Sequence, residues 1–153
     1  MISTTLSQLH QLKLSGMAKA LQQQLEQPGQ YEELSFSERL QLLTDQEVYE
    51  RDHRKQQRLL KQAQLKLAAT AQDVDYQHPR GLQKSVMIGL QQCDWLQRHQ
   101  NLLLTGPCGT GKTYIACALA NTACLKGFSV KYYRLSRLLM ELAQSKADGT
   151  YSR

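Results

Sequence analysis

Gly106-Pro107-Cys108-Gly109-Thr110-Gly111-Lys112-Thr113 has the spacing G-x-x-x-x-G-K-[ST], in which a glycine-rich turn cradles phosphate groups. Its flanks decide whether the match has its context. Before it, Asn101-Leu102-Leu103-Leu104-Thr105 is a short apolar run suited to a buried parallel strand. After it, Tyr114 to Lys126 is rich in Ala and Leu and runs into Gly127, a pattern that predicts a helix with a glycine stop. Strand, loop and helix stand in the order the motif requires.

The residue types fit that chemistry. Gly106, Gly109 and Gly111 lack a Cβ, so the backbone can bend sharply and turn its N–H groups inward. A helix starting near Gly111 adds unpaired N–H groups and the positive end of its dipole. Lys112 supplies a mobile cation for the β- and γ-phosphates, and the Thr113 hydroxyl is a ligand for Mg²⁺. Pro107, Cys108 and Thr110 fill the free positions, Cys108 as a small turn residue. The expected ligands are a nucleoside triphosphate and Mg²⁺.

Composition sets wider bounds. With 41% hydrophobic and 21% charged residues in 153, the chain reads as an ordinary soluble protein, one domain or a small domain plus part of another. The start, Met1-Ile2-Ser3-Thr4-Thr5, lacks a basic segment followed by an apolar one, and no apolar run approaches the ~20 residues of a membrane span, so the expected location is the cytoplasm with no membrane partner. Cys93, Cys108, Cys117 and Cys124 contain no C-x-x-C pair and do not have zinc spacing. Cys117 and Cys124, seven apart, share a helix face and read as core. His10, His53, His78 and His99 are scattered.

The net charge of +6 is uneven. Residues 1–50 hold three Lys/Arg against seven Asp/Glu, giving −4. Residues 51–100 hold nine against four, giving +5, and residues 101–153 hold seven against two, giving +5. A basic middle and C-terminal half favours a polyanionic partner. Arg51, Arg54, Arg58 and Lys61 are spaced three, four and three apart, with Lys55 beside them. On a helix they form a stripe that either follows DNA phosphates without reading sequence or is a solvated face. Arg134 and Arg137 either add to it or are surface residues.

The first hundred residues read as helical. Leu6, Leu9, Leu12, Leu14, Met17, Leu21 and Leu25 recur at roughly helical spacing until Pro28-Gly29 breaks them. Ser35 and Glu38 form an S-x-x-E capping box, from which a helix runs past residue 60. Residues 73–81 read as a linker between a helical domain, 1–72, and a loop-bearing domain, 82–153. Tyr76 and Arg80 stand in that linker, where an adenine pocket would form, although packing accounts for Tyr76 as well. A helix is expected from about Leu82 to Arg98, a strand over Phe128 to Tyr133, and a helix from Leu135 to Gln144; residues 148–153 carry no clear signal.

With these segments placed, the whole chain resembles the N-terminal part of IstB-like proteins, the ATP-binding helpers of insertion-sequence transposases and relatives of the DnaC helicase loaders within the AAA+ ATPases. Leu12-Lys13-Leu14-Ser15-Gly16-Met17-Ala18-Lys19-Ala20-Leu21, Arg54-Lys55-Gln56-Gln57-Arg58-Leu59-Leu60-Lys61-Gln62-Ala63 and Leu102 through Thr113 carry the resemblance. The third is shared by many nucleotide-binding proteins; the first two are more specific. The resemblance implies an α/β fold: a helical N-terminal domain followed by a P-loop (AAA+-type) parallel-sheet domain. It also implies ATP-dependent assembly on duplex DNA, as a homo-oligomer when complete, and delivery of target DNA to a partner transposase.

The chain departs from the family beyond the loop. Family members carry a second apolar strand ending in Asp-Asp or Asp-Glu, then an arginine finger. After Lys112 this sequence has only Glu141 and Asp148, neither ending an apolar strand. The expectation is an incomplete copy, its sheet lacking the strands that lie between the two predicted here. Two other readings stay open, a DnaC-like helicase loader and a non-enzymatic module that binds DNA or a partner.

Overall fold

The structure, a computed structural model, describes residues 2–151. The chain divides into two compact units, Met1–Gln57 and Arg58–Arg153.

The first unit is built from α1 (Ile2–Gln11), α2 (Ser15–Glu26), a 3₁₀ turn (Pro28–Gln30) and the first part of α3 (Phe36–Ala63). The apolar repeat beginning at Leu6 does not run as one helix. Lys13 takes a left-handed φ of +60°, and the N–H groups of Lys13 and Leu14 close on the carbonyls of His10 at 3.0 Å and Leu9 at 2.8 Å. This paired closure ends α1 although no glycine is present. At the start of α3 the capping box forms: the Ser35 N–H donates to Glu38 Oε2 at 2.8 Å, and the Glu38 N–H to Ser35 Oγ at 3.3 Å.

No side chain of its own caps α2. Glu47, buried on α3, does so instead. Its Oε2 accepts from the N–H of Gly16 at 2.7 Å and of Met17 at 3.2 Å, while Oε1 accepts from Arg51 Nε at 2.6 Å. Burial alone would raise the Glu47 pKa. The Arg51 guanidinium and the two backbone donors outweigh it, so the carboxyl is held below its ordinary range. The approach needs glycine, because a Cβ on residue 16 would lie 2.7 Å from Glu47 Cα. Buried Gln24 adds a second tie, donating to the Arg39 carbonyl at 3.0 Å.

The second unit holds the end of α3, then α4 (Lys84–Gln91), α5 (Asp94–Gln97), α6 (Lys112–Leu125) and α7 (Leu135–Ala147). Its core surrounds α6, whose Ile115, Cys117, Ala118 and Leu119 pack with Ala69, Val74 and Met87. Cys124 packs with Leu59 and Ala63 of α3. The helix expected over 82–98 breaks at Cys93, which takes φ +64°, and Trp95 Nε1 donates back to the Leu90 carbonyl at 3.0 Å.

The expected α/β parallel-sheet domain is not found. All regular structure among the described residues is helical, and no strand occurs among them. Residues 101–107 and 128–134 lie between helices without regular structure. A strand is stable only when its N–H and C=O groups are paired. Among the described residues no backbone hydrogen bond joins 101–105 to 128–133; instead the Phe128 N–H closes on the Ala123 carbonyl at 2.9 Å and the Tyr132 N–H on that of Ala63 at 2.9 Å. Leu103, read from sequence as a buried strand residue, is 85% exposed. No helix among the described residues is long and apolar enough to cross a membrane.

Candidate phosphate-binding site

The eight loop residues pass directly into α6. Gly106, Gly109 and Gly111 take φ of +148°, +82° and +85°, conformations that strain any residue with a Cβ. Gly111 is the N-cap of α6, and no side chain caps it. The Ile115 N–H, bonded to the Gly111 carbonyl at 3.0 Å, makes the first helical bond. The N–H groups before it are the donors that a helix start leaves for an anion.

Lys112 folds its ammonium back over the loop, donating to the carbonyls of Gly106 at 2.8 Å and Pro107. Thr110 Oγ1 donates to the Pro107 carbonyl at 3.0 Å, which tightens the same turn. Thr113 is half-buried in the first turn of α6, and Cys108 is exposed.

Arg80 completes the site from a distance of thirty residues in sequence. Its Nη1 donates to the Thr110 carbonyl at 3.4 Å and its Nη2 to the Asp75 carbonyl, while Nε is buried without a partner. A Cβ on Gly111 would meet Nη1 at 2.8 Å. Gly111 therefore serves both the loop turn and the seat of a guanidinium. Sequence placed Arg80 near an adenine pocket; its contact with the loop has no signature in spacing. Tyr76 packs against the core, with Lys84 Nζ 5.9 Å from its ring centre.

The residues fit a polyphosphate: three glycines, an uncapped helix start, and the cations Lys112 and Arg80. For Mg²⁺ the loop offers the Thr113 hydroxyl, and no group of three or more His, Cys, Asp or Glu among the described residues could hold a metal. A divalent ion here would take most of its ligands from phosphate and water.

The basic residues read as a stripe all lie on α3 and are exposed. Arg51 is committed to Glu47. Arg54 lies 3.9 Å from the same carboxylate and donates from Nε to the Glu50 carbonyl at 3.2 Å. Lys55, Arg58 and Lys61 have no side-chain hydrogen bond or ion pair among the described residues. Arg51, Arg54 and Lys55 belong to the first unit, Arg58 and Lys61 to the second.

A glycine loop whose cation curls over it at an uncapped helix start is an arrangement of phosphate-binding proteins. The IstB-like ATP binding protein family matches residues 7–153, and the chain belongs to that family. It is 47% identical to an ATP-binding protein named for insertion sequence IS1162 of Pseudomonas fluorescens, over 100% of this chain and 66% of that protein. It is 41% identical to the insertion-sequence ATP-binding protein y4pL of Sinorhizobium fredii, over 97% and 60%. Identity is 33% to the insertion-sequence ATP-binding protein Rv3427c of Mycobacterium tuberculosis, over 94% and 57%. The chain thus spans about three-fifths of the length of these relatives.

Proposed function

We propose that the chain is an ATP-binding helper of insertion-sequence transposition. It binds ATP with Mg²⁺ through Gly106 to Thr113, binds duplex DNA through cations of α3, and assists a partner transposase. The observation that carries the nucleotide reading is the glycine loop set on the uncapped start of α6, with Lys112 and Arg80 beside it. Backbone N–H groups and Lys112 hold the phosphates, Thr113 holds the metal ion, and Arg80 holds the loop. The DNA reading rests on Lys55, Arg58 and Lys61, cations that no acid neutralises among the described residues, and on the insertion-sequence names of the relatives.

The test is binding of ATP·Mg²⁺ to the purified chain, with Lys112→Ala as control and duplex DNA present or absent. Nucleotide binding that disappears in Lys112→Ala supports the reading. Wild-type binding that survives in Lys112→Ala, or no binding at all, overturns it.

A second reading is a non-enzymatic module that binds DNA or a partner. It is favoured by the exposed cations Lys55, Arg58 and Lys61, whose side chains have no hydrogen bond or ion pair among the described residues and whose pull on phosphates needs no nucleotide. It predicts DNA binding indifferent to both ATP and Lys112→Ala.

A further inference from the structure

We propose a second polyanion site, for a single strand of nucleic acid, in the cavity where the segment before α7 meets the chain after α3. The cavity measures about 660 Å³ and lies wholly within the second unit. Lys66, Lys131, Arg134 and Arg137 line it, against the one carboxylate of Glu141. None of these residues belongs to the phosphate loop or to the α3 stripe.

The cations differ in how they are held. Lys131 Nζ is fixed by Gln64 Oε1 at 2.7 Å and reaches the Gln62 carbonyl at 3.4 Å. Arg137 pairs with Glu141 on a surface where both are well exposed, a weak tie in water. The side chains of Lys66 and Arg134 have no hydrogen bond or ion pair among the described residues. Arg134 is also the N-cap of α7, a helix of 13 residues with no capping side chain and no acid in its first turn. The helix start therefore adds its dipole to the same positive field.

Two features select a nucleic-acid strand over a small anion. The cations come from well-separated stretches of chain around a space larger than one phosphate needs, so they suit successive phosphates. Two aromatic rings stand between two of the cations in Lys131-Tyr132-Tyr133-Arg134. Tyr132 is packed against the core, but Tyr133 is 51% exposed and lines the cavity. An exposed ring among cations is a stacking platform for an unpaired base. The bases of a duplex are stacked on one another, which leaves no free face for Tyr133.

The test is fluorescence anisotropy of a labelled 12-nucleotide oligothymidylate, its duplex, and inorganic tripolyphosphate as competitor, on the full chain. Lys66→Ala/Arg134→Ala should weaken single-strand binding at least tenfold and flatten the dependence of log affinity on log salt by about 1.4, two phosphates at about 0.7 each. Tyr133→Ala should weaken it roughly tenfold with the slope unchanged. Arg58→Ala/Lys61→Ala should leave the single-strand effect of Tyr133 intact, and Lys112→Ala should leave oligonucleotide binding intact, which separates this site from the nucleotide reading. Unchanged affinity and slope in Lys66→Ala/Arg134→Ala would overturn the proposal. So would duplex preference with no effect of Tyr133→Ala, or tripolyphosphate displacing the oligonucleotide at equal phosphate concentration. Lys66→Gln/Arg134→Gln, nearer in size, repeats the test if the alanine pair alters the far-UV circular dichroism.

Discussion

Gly16→Ala sets two opposed effects against each other. Alanine is favoured over glycine within a helix by about 1 kcal/mol, and residue 16 lies in the first turn of α2. The added Cβ, however, would stand 2.7 Å from Glu47 Cα and 2.9 Å from the Gln46 carbonyl oxygen. Both are backbone atoms of α3, so no rotamer change relieves the contact. Carbon atoms rest about 3.5–4.0 Å apart, so α2 must retreat by about 1 Å. The Gly16 N–H bond to Glu47, now 2.7 Å, then stretches past the ~3.2 Å limit of a good hydrogen bond. A hydrogen bond to a charged group contributes about 1.5–3 kcal/mol, and the Met17 bond weakens with it. The clash wins: Gly16→Ala should cost about 1–3 kcal/mol net, lowering Tm by roughly 5–25 °C for a unit of this size. Thermal unfolding followed by circular dichroism at 222 nm measures it. Gly89→Ala in α4 is the control, since its Cβ meets nothing within 4 Å, and a gain of about 0.5–1 kcal/mol is expected there. If Gly16→Ala unfolds at or above the wild-type temperature, the docking of α2 on Glu47 is refuted.

Glu47, its pKa depressed in the fold, contributes stability that is fully present above the unfolded carboxylate value of about 4.3 and is lost as pH falls through the folded value. Urea midpoints should therefore drop as pH falls from about 5 through that value, less so in Glu47→Gln; an equal drop in the variant contradicts the assignment. Gly111→Ala places a side chain at φ +85° and against Arg80, and should lose about 1–2 kcal/mol of stability together with ATP affinity, read by calorimetry. Arg80→Ala should weaken ATP binding several-fold while leaving far-UV circular dichroism unchanged, whereas unaltered affinity would show that the loop holds its shape alone.

Signals confined to a few neighbouring residues were legible in the sequence. Ser35 and Glu38 are three apart and cap each other as read, α3 runs to Ala63 past residue 60, and Gly127 ends α6 with φ +88°. Cys117 and Cys124 are both buried on α6. Two breaks were hidden because Lys13 and Cys93, ordinary residues, adopt left-handed φ where neither glycine nor proline marks the spot. The sheet was misread because an apolar run such as Leu102-Leu103-Leu104 expresses only a tendency; pairing is decided by what lies alongside. Nothing in the local sequence singles out Glu47. Its burial depends on Gly16, thirty-one residues away, and no local pattern encodes that distance. The Arg80 contact with the loop escaped for the same reason. For the segment 148–153, the structure ends α7 at Ala147 and turns at Gly149, while Ser152 and Arg153 lie outside the described residues.

The four thiols are not chemically equivalent. Cys93, Cys117 and Cys124 are buried, and burial pushes the thiols of Cys93 and Cys124 up, away from the reactive thiolate form. Cys108 is exposed, at a free position of the glycine loop. Toward a thiol-alkylating dye or cross-linker, the folded chain presents a single exposed thiol, and that thiol stands beside the turn where phosphate would be held. A probe attached there reports on the loop without an engineered residue, and a ligand that fills the loop shields its own label site.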